Sequence, residues 1–111
     1  IQAPRVLLKT GSFPNPDQFN EDFNSLSPEL VDLVADQGGK LVGIDTPSVD
    51  PFADKALESH HAVARHDMAV LEGLVLSHVP AGLYRLIALP LHIPGADASP
   101  VRAALLREDP A

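Results

Sequence analysis

Residues 5–10, RVLLKT, form a short apolar run fenced by Pro4 and Gly11, the pattern of a buried strand. The polar stretch that follows, GSFPNPDQFNEDFN, has no clean period, so it reads as a long loop holding one helical turn around Gln18–Phe23, with Phe13, Phe19 and Phe23 pinning it down. Ser27-Pro28 then supplies an N-cap with proline at the first helical position, and Glu29 suits the helix dipole. The apolar spacing predicts a helix over Pro28–Gln37 with Leu30, Leu33 and Val34 on its inner face, and Gly38-Gly39 stops it. A second strand is expected at Lys40–Asp45. Strand, helix and strand in this order predict a parallel βαβ unit with a right-handed crossover, so the loop beginning at Thr46-Pro47 stands where α/β sheets commonly hold ligands.

Beyond that unit, residues 52–66 favour a helix started by Asp50-Pro51 or Asp54. Met68–Leu71 is a further apolar patch, with Gly73 interrupting the chain after it. Strands are expected at 84–89 and 101–106, separated by a proline- and glycine-rich excursion. The order of elements gives an α/β fold with a mostly parallel or mixed sheet.

A chain of 111 residues suits one domain with a modest core. With four Phe, one Tyr and no Trp, that core must be built from Leu, Val, Ile and Ala. Eight basic against fifteen acidic residues give a formal charge of −7, and the basic ones are scattered, which argues against nucleic acid as a partner. Zero cysteines exclude disulfides and thiolate metal sites, so any metal would need histidine and carboxylate ligands. No run approaches the roughly 20 apolar residues of a membrane span, so no membrane partner and a cytoplasmic address are expected. The chain opens on Ile1 only a few residues before a strand, which reads as a cut from a longer polypeptide.

His60 and Glu72 are the candidate metal ligands. Their separation of twelve would place them about 120° apart on one unbroken helix, so they meet only if the chain turns between them, as expected near His66–Met68. On spacing alone, His60, His61 and His66 are better explained as solvated residues of a polar helix. His61 is the substitute ligand, since neighbouring helical side chains point about 100° apart and only one can face a given ion. Asp45 and Thr46 at a strand end suit the orientation of a ligand histidine, and Asp45 equally suits the capping of the next turn. Asp97 and Ser99 suit either a functional loop or a turn before Pro100, and Arg102 suits either a carboxylate partner or a subunit contact. Ser12 and Ser48 lack the GxSxG elbow of a serine hydrolase, and Gly38-Gly39 lacks a phosphate-loop pattern.

Three stretches carry a resemblance: LVGIDTPSVDP at 41–51, LESHHAVARHDMAVLEGL at 57–74 and LIALPLHIPGADASPVRAALL at 86–106. They resemble the C-terminal half of the bacterial-type kynurenine formamidases, members of the cyclase-like metal-dependent hydrolases. The resemblance implies a swivelling β/β/α domain of which residues 1–111 are the C-terminal part, and a homodimer. It implies hydrolysis of N-formyl-L-kynurenine to kynurenine and formate in tryptophan degradation, at a centre of two zinc ions, with manganese the alternative. His60 matches the first histidine of the family's HH doublet and Glu72 the glutamate of its LEG triplet, both metal ligands. The other ligands and the catalytic histidine belong to an N-terminal motif HxGTHxDxPxH absent from this sequence, so no catalytic residue is expected in the chain and the 111 residues alone are expected to be inactive. The competing expectations are a non-catalytic fragment or binding module of the same fold, and a relative acting on another amide or lactam.

Overall fold

The structure, a computed structural model, describes residues 1–107 and contains two compact units, the first spanning Ile1–Val79 and the second beginning at Pro80. In the first unit, β1 (Arg5–Leu8), α1 (Pro28–Asp36), β2 (Leu41–Ile44), α2 (Glu58–Arg65) and β3 (Ala69–Leu71) follow in order. The three strands form a parallel sheet in the order β1-β2-β3, with Arg5 opposite Leu41 and Leu41 opposite Ala69. The expected βαβ unit is therefore present and is followed at once by a second one.

Local chemistry explains the helix limits. Ser27 caps α1 by accepting the Leu30 N–H on its hydroxyl at 3.1 Å, and Pro28 occupies the first position, where its missing N–H costs nothing. At the other end Gly38 is left-handed, its N–H donates to the Ala35 carbonyl and that of Gly39 to the Val34 carbonyl, the paired pattern of a Schellman stop. A side chain at Gly39 would collide with Val34. α2 ends in the same way, with Asp67 left-handed and Met68 N–H bonded to the Val63 carbonyl, so the turn expected between His60 and Glu72 exists.

α1 and α2 contact each other and pack on one face of the sheet. Val31 and Val34 of α1, Val42 and Ile44 of β2, Ala62 and Val63 of α2, with Leu26, Val49 and Met68, make the core. Leu33, expected on the inner face, is exposed, and Val31 takes that place. Leu30 only flanks the core. The face that packs is the one shared by positions 31, 34 and 35, about one residue further round the helix.

The expected strands at 5–10 and 40–45 are each trimmed, whereas that at 84–89 is shifted by one residue and that at 101–106 is found with the same bounds. β1 stops before Lys9 and Thr10 because Thr10 and Gly11 turn their N–H groups onto Asp45. β2 is bounded by Lys40, whose own N–H donates to the Pro4 carbonyl and whose carbonyl accepts the Ala69 N–H, and by Asp45. Residues 18–23 form no helical turn, and the long helix expected over 52–66 begins only at Glu58. The phenylalanines do pin their loop: Phe13, Phe19 and Phe23 meet edge to face with centroids 5.9–6.4 Å apart, and Phe52 joins Phe19 at 5.5 Å.

The second unit is an antiparallel ribbon, β4 (Arg85–Pro90) against β5 (Val101–Leu106), with Arg85 opposite Leu106 and Pro90 opposite Val101. The antiparallel pairing thus forms its own sheet and does not extend the parallel one as a single mixed sheet would. Ser99 has a turn role here: its hydroxyl accepts the Leu91 N–H and donates to the Pro100 carbonyl, both at 3.0 Å. Arg107 lies over the Tyr84 ring at 5.9 Å. Among the described residues, no helix is long and apolar enough to cross a membrane.

Candidate metal centre

The loops at the carboxyl ends of the parallel strands are bound to one another by carboxylates. Asp45, just past β2, accepts the Thr10 N–H at 3.0 Å, the Thr10 hydroxyl at 2.7 Å and the Gly11 N–H at 2.9 Å. Burial would raise its pKa, but these donors outweigh that and hold it below the ordinary carboxylate range. The Thr10 hydroxyl lies 2.7 Å from that of Ser12, which accepts the Asn24 N–H. Thr46 is fully buried, with its hydroxyl 3.0 Å from the carbonyls of Asn24 and Ser48. Neither residue orients a histidine: Asp45 straps the exit of β1 to the exit of β2, and Thr46 bonds the Ser48 carbonyl in the turn that follows it.

The residue that sequence reasoning missed is Asp50. It lies in the loop after β2 with only 1% of its surface exposed. One carboxylate oxygen accepts the Ser59 N–H at 2.8 Å, and the other accepts the His60 N–H at 2.9 Å and faces His60 Nδ1 at 2.7 Å. The N-cap of α2, Leu57, is left-handed and offers no capping side chain, so Asp50 satisfies the Ser59 and His60 donors of the first turn from outside the helix. The sequence hint was slight, because Asp50-Pro51 looked like a helix start and the cap acts across eight intervening residues. Burial raises the Asp50 pKa, while the His60 and Ser59 backbone donors and the His60 ring lower it further, leaving it depressed and the group ionised. An ionised carboxylate can only accept, so His60 Nδ1 carries a proton.

His60 Nε2 then faces Glu72, whose Oε2 is 3.2 Å away. Glu72 follows β3 directly, and the same oxygen accepts the Val49 N–H at 2.8 Å. Gly73 N–H in turn donates to the Thr46 carbonyl at 2.7 Å, fixing the loop from behind. The two side chains are 33% and 28% exposed, so the pair opens to solvent from a buried base. Both predicted ligands are therefore brought together. His61, the substitute, is exposed, as are His78, His92 and Asp97. His66 is engaged elsewhere, with its Nε2 2.7 Å from Asp32.

A neutral imidazole with its proton on Nδ1 presents a lone pair toward an anionic oxygen, and two such acceptors repel unless a proton or a cation lies between them. Metal bonds of about 2.0–2.1 Å at a tetrahedral angle would separate two donor atoms by roughly 3.4 Å, close to the 3.2 Å observed. The buried carboxylate behind the imidazole is also the partner that metal-ligating histidines usually have. The pair fits a divalent cation on these grounds. By itself it is two ligands: among the described residues no group of three or more histidine, aspartate or glutamate side chains is arranged to hold a metal.

No family model matches the chain. Solved structures do. Over 99% of its length it superposes, with a TM-score of 0.87 and 32% sequence identity, on a protein described as a potential metal-dependent hydrolase with cyclase activity. The chain is similar to one half of that hydrolase. It spans 54% of that protein's length. A second, a "predicted metal-dependent hydrolase" from Bacillus stearothermophilus, matches 90% of the chain with a TM-score of 0.81 and 32% identity, and the match spans 48% of its length. The fold is thus shared with metal-dependent hydrolases of cyclase-like type. A groove of about 540 Å³ lies beside the strand ends. Its wall includes Thr10, Asn24 and Pro51 but neither His60 nor Glu72, so it does not by itself mark the metal pair.

Proposed function

We propose that this chain contributes His60 and Glu72 to the metal centre of a metal-dependent amidohydrolase, with the remaining ligands supplied by a segment corresponding to the other half of its structural neighbours. The observation that carries the reading is the facing of His60 Nε2 and Glu72 Oε2 at 3.2 Å, with the imidazole held from behind by a buried aspartate. The finer reading is an arylformamidase of the swivelling β/β/α type, a cytoplasmic homodimer that converts N-formyl-L-kynurenine to kynurenine and formate. It is supported by the stretches at 41–51, 57–74 and 86–106, which surround the pair in sequence.

When bound, zinc would lower the pKa of a coordinated water and polarise the scissile carbonyl. The chain's own part is to place and orient ligands. His60 offers Nε2 as a lone-pair donor because Asp50 occupies Nδ1, and Glu72 adds a negative charge held in place by Val49 N–H. Gly73 and Thr46 fix the loop that carries Glu72.

Metal content and formate release test the reading together. The intact protein should hold zinc or manganese and release formate from N-formyl-L-kynurenine, and Glu72→Ala or His60→Ala should lower metal occupancy and activity in parallel. Full activity in either variant removes that residue from the site. The alternative is a non-catalytic module of the same fold, favoured by the finding that two ligands alone make no closed site. Absence of both metal and formate release from the intact protein decides for it, and metal-dependent turnover of a different amide or lactam decides for another hydrolase of the same fold.

A further inference from the structure

We propose that Asp50 is the positioning residue of the metal pair, tying the start of α2 to the tautomer of His60 through one buried carboxylate. This rests on the reading of His60 as a ligand, but it makes a claim that is measurable without any metal. The Asp50 carboxylate makes three contacts, and they fall on consecutive residues: Ser59 N–H, His60 N–H and His60 Nδ1. The first two fix where the first turn of α2 begins, and the third fixes how the ring on that turn is rotated and which nitrogen is left free. A carboxylate that only capped the helix would need neither the ring contact nor such depth. A carboxylate that only paired with the ring would leave the first-turn N–H groups of Ser59 and His60 to solvent. Leu57 supports the same conclusion, because a leucine is held at φ 52° immediately before α2, a conformation that side chains other than glycine rarely adopt. The helix start is therefore imposed from outside, by the group that also holds the ligand.

The distinguishing variant is Asp50→Asn. Asparagine keeps one acceptor oxygen where the carboxylate has two. With that oxygen on Ser59 N–H its amide N–H₂, a donor, faces Nδ1 and the ring must reverse its tautomer or turn away. With it on His60 the Ser59 N–H faces a donor, and the neutral amide holds the ring more weakly than the carboxylate. Ser59→Ala is the control, since it removes the Ser59 hydroxyl bond to the Leu26 carbonyl at the same helix start and leaves the ring contact alone. Long-range ¹H–¹⁵N NMR of the intact, metal-free protein labelled at histidine, at a pH where the ring is neutral, reads the tautomer directly. The expected result is a proton on Nδ1 of His60 in the native protein and in Ser59→Ala, and loss or reversal of that preference in Asp50→Asn. Titration with zinc alone should show binding weakened about 10–100-fold in Asp50→Asn and little changed in Ser59→Ala. A native His60 with its proton on Nε2, or an Asp50→Asn protein with the native tautomer and native zinc affinity, overturns the proposal. A native protein with the Nδ1 proton in place that binds no zinc supports the positioning role while removing the metal-centre reading, so the two failures are distinct.

Discussion

The two units of this chain use similar residues to opposite effect. In the first, apolar side chains from β2, α1 and α2 interlock until Val31, Val42, Ile44, Val49 and Ala62 have no accessible surface. In the second, β4 and β5 carry leucines and isoleucines too, yet none of the described residues from 80 to 107 is buried, and Leu89 is 75% exposed. The difference is one of layers. A parallel strand must be followed by a crossover, and the crossover helix brings its own apolar face to cover the sheet. A ribbon joined by an antiparallel connection brings nothing with it, and a two-stranded ribbon is marginal by itself in water. The candidate ligands follow the same division, because the crossovers also gather loops at the carboxyl ends of β1, β2 and β3, where His60 and Glu72 meet.

The sharpest way to break this comparison is to make the same substitution in both units. Ile44→Ala empties a fully buried site in the central strand, and should cost about 2–5 kcal/mol in chemical denaturation. Ile87→Ala removes an exposed side chain from β4, and should change stability by no more than about 0.5 kcal/mol. A loss at Ile87 as large as at Ile44 would show that the ribbon face is covered in solution, by a second copy or a further segment, and the contrast between the units would fail.

Asp45 sharpens the comparison at the level of the loops, since it binds the exits of β1 and β2 and has no counterpart in the ribbon among the contacts described. Asp45→Ala leaves the Thr10 and Gly11 donors without their partner, a loss of about 1–3 kcal/mol. The pH dependence has a defined sign. The folded pKa of Asp45 is lowered, by donors that outweigh its burial, below an unfolded value near about 3.9. Its contribution is therefore fully present above that value and is lost as pH falls through the folded pKa. Urea midpoints between about pH 5 and pH 2 should fall less steeply in Asp45→Asn than in the native chain, and equal slopes would show that the strap adds nothing to acid stability.

Much of the first unit was legible before its structure because its signals are local. Ser27-Pro28 and Gly38-Gly39 are punctuation read from adjacent residues, and the apolar runs beginning at Arg5 and Lys40 are short and cleanly bounded. What escaped was whatever depends on residues distant in sequence. The inner face of α1 fell on Val31, not Leu33, because the neighbouring elements select the face and the helix period permits either. The first-turn cap of α2 escaped because it is supplied by Asp50 across a loop, and no nearest-neighbour pattern records that. His60 and Glu72 were legible as a pair through the stretches around them, whereas the reason they can meet is the left-handed Asp67 and the turn it makes. Asp45 stands where it could orient a histidine, but a strand-end aspartate has several loops within reach, and its partners are Thr10 and Gly11.

The smallest effect is expected where the two helices are joined on the outside of the same unit. Asp32 of α1 meets Arg65 at 2.9 Å and His66 at 2.7 Å, both on one carboxylate oxygen. The His66 bond first, then Arg65, lowers the Asp32 pKa, so this contact too strengthens folding above the ordinary carboxylate pKa and weakens in acid. Unlike Asp45, however, Asp32 faces water, where ion pairs are screened within about 8–10 Å at moderate salt and contribute little. Asp32→Asn should therefore produce a small loss of thermal stability at low ionic strength that vanishes as salt is raised, while the loss in Asp45→Ala persists. The salt series separates the two carboxylates by cause: one acts through shielded hydrogen bonds that hold the strand-end loops, the other through an exposed charge that only adjusts how α1 and α2 meet. If both losses faded together with salt, the buried strap would be no different from a surface ion pair, and its place in ordering the strand-end loops would have to be given up.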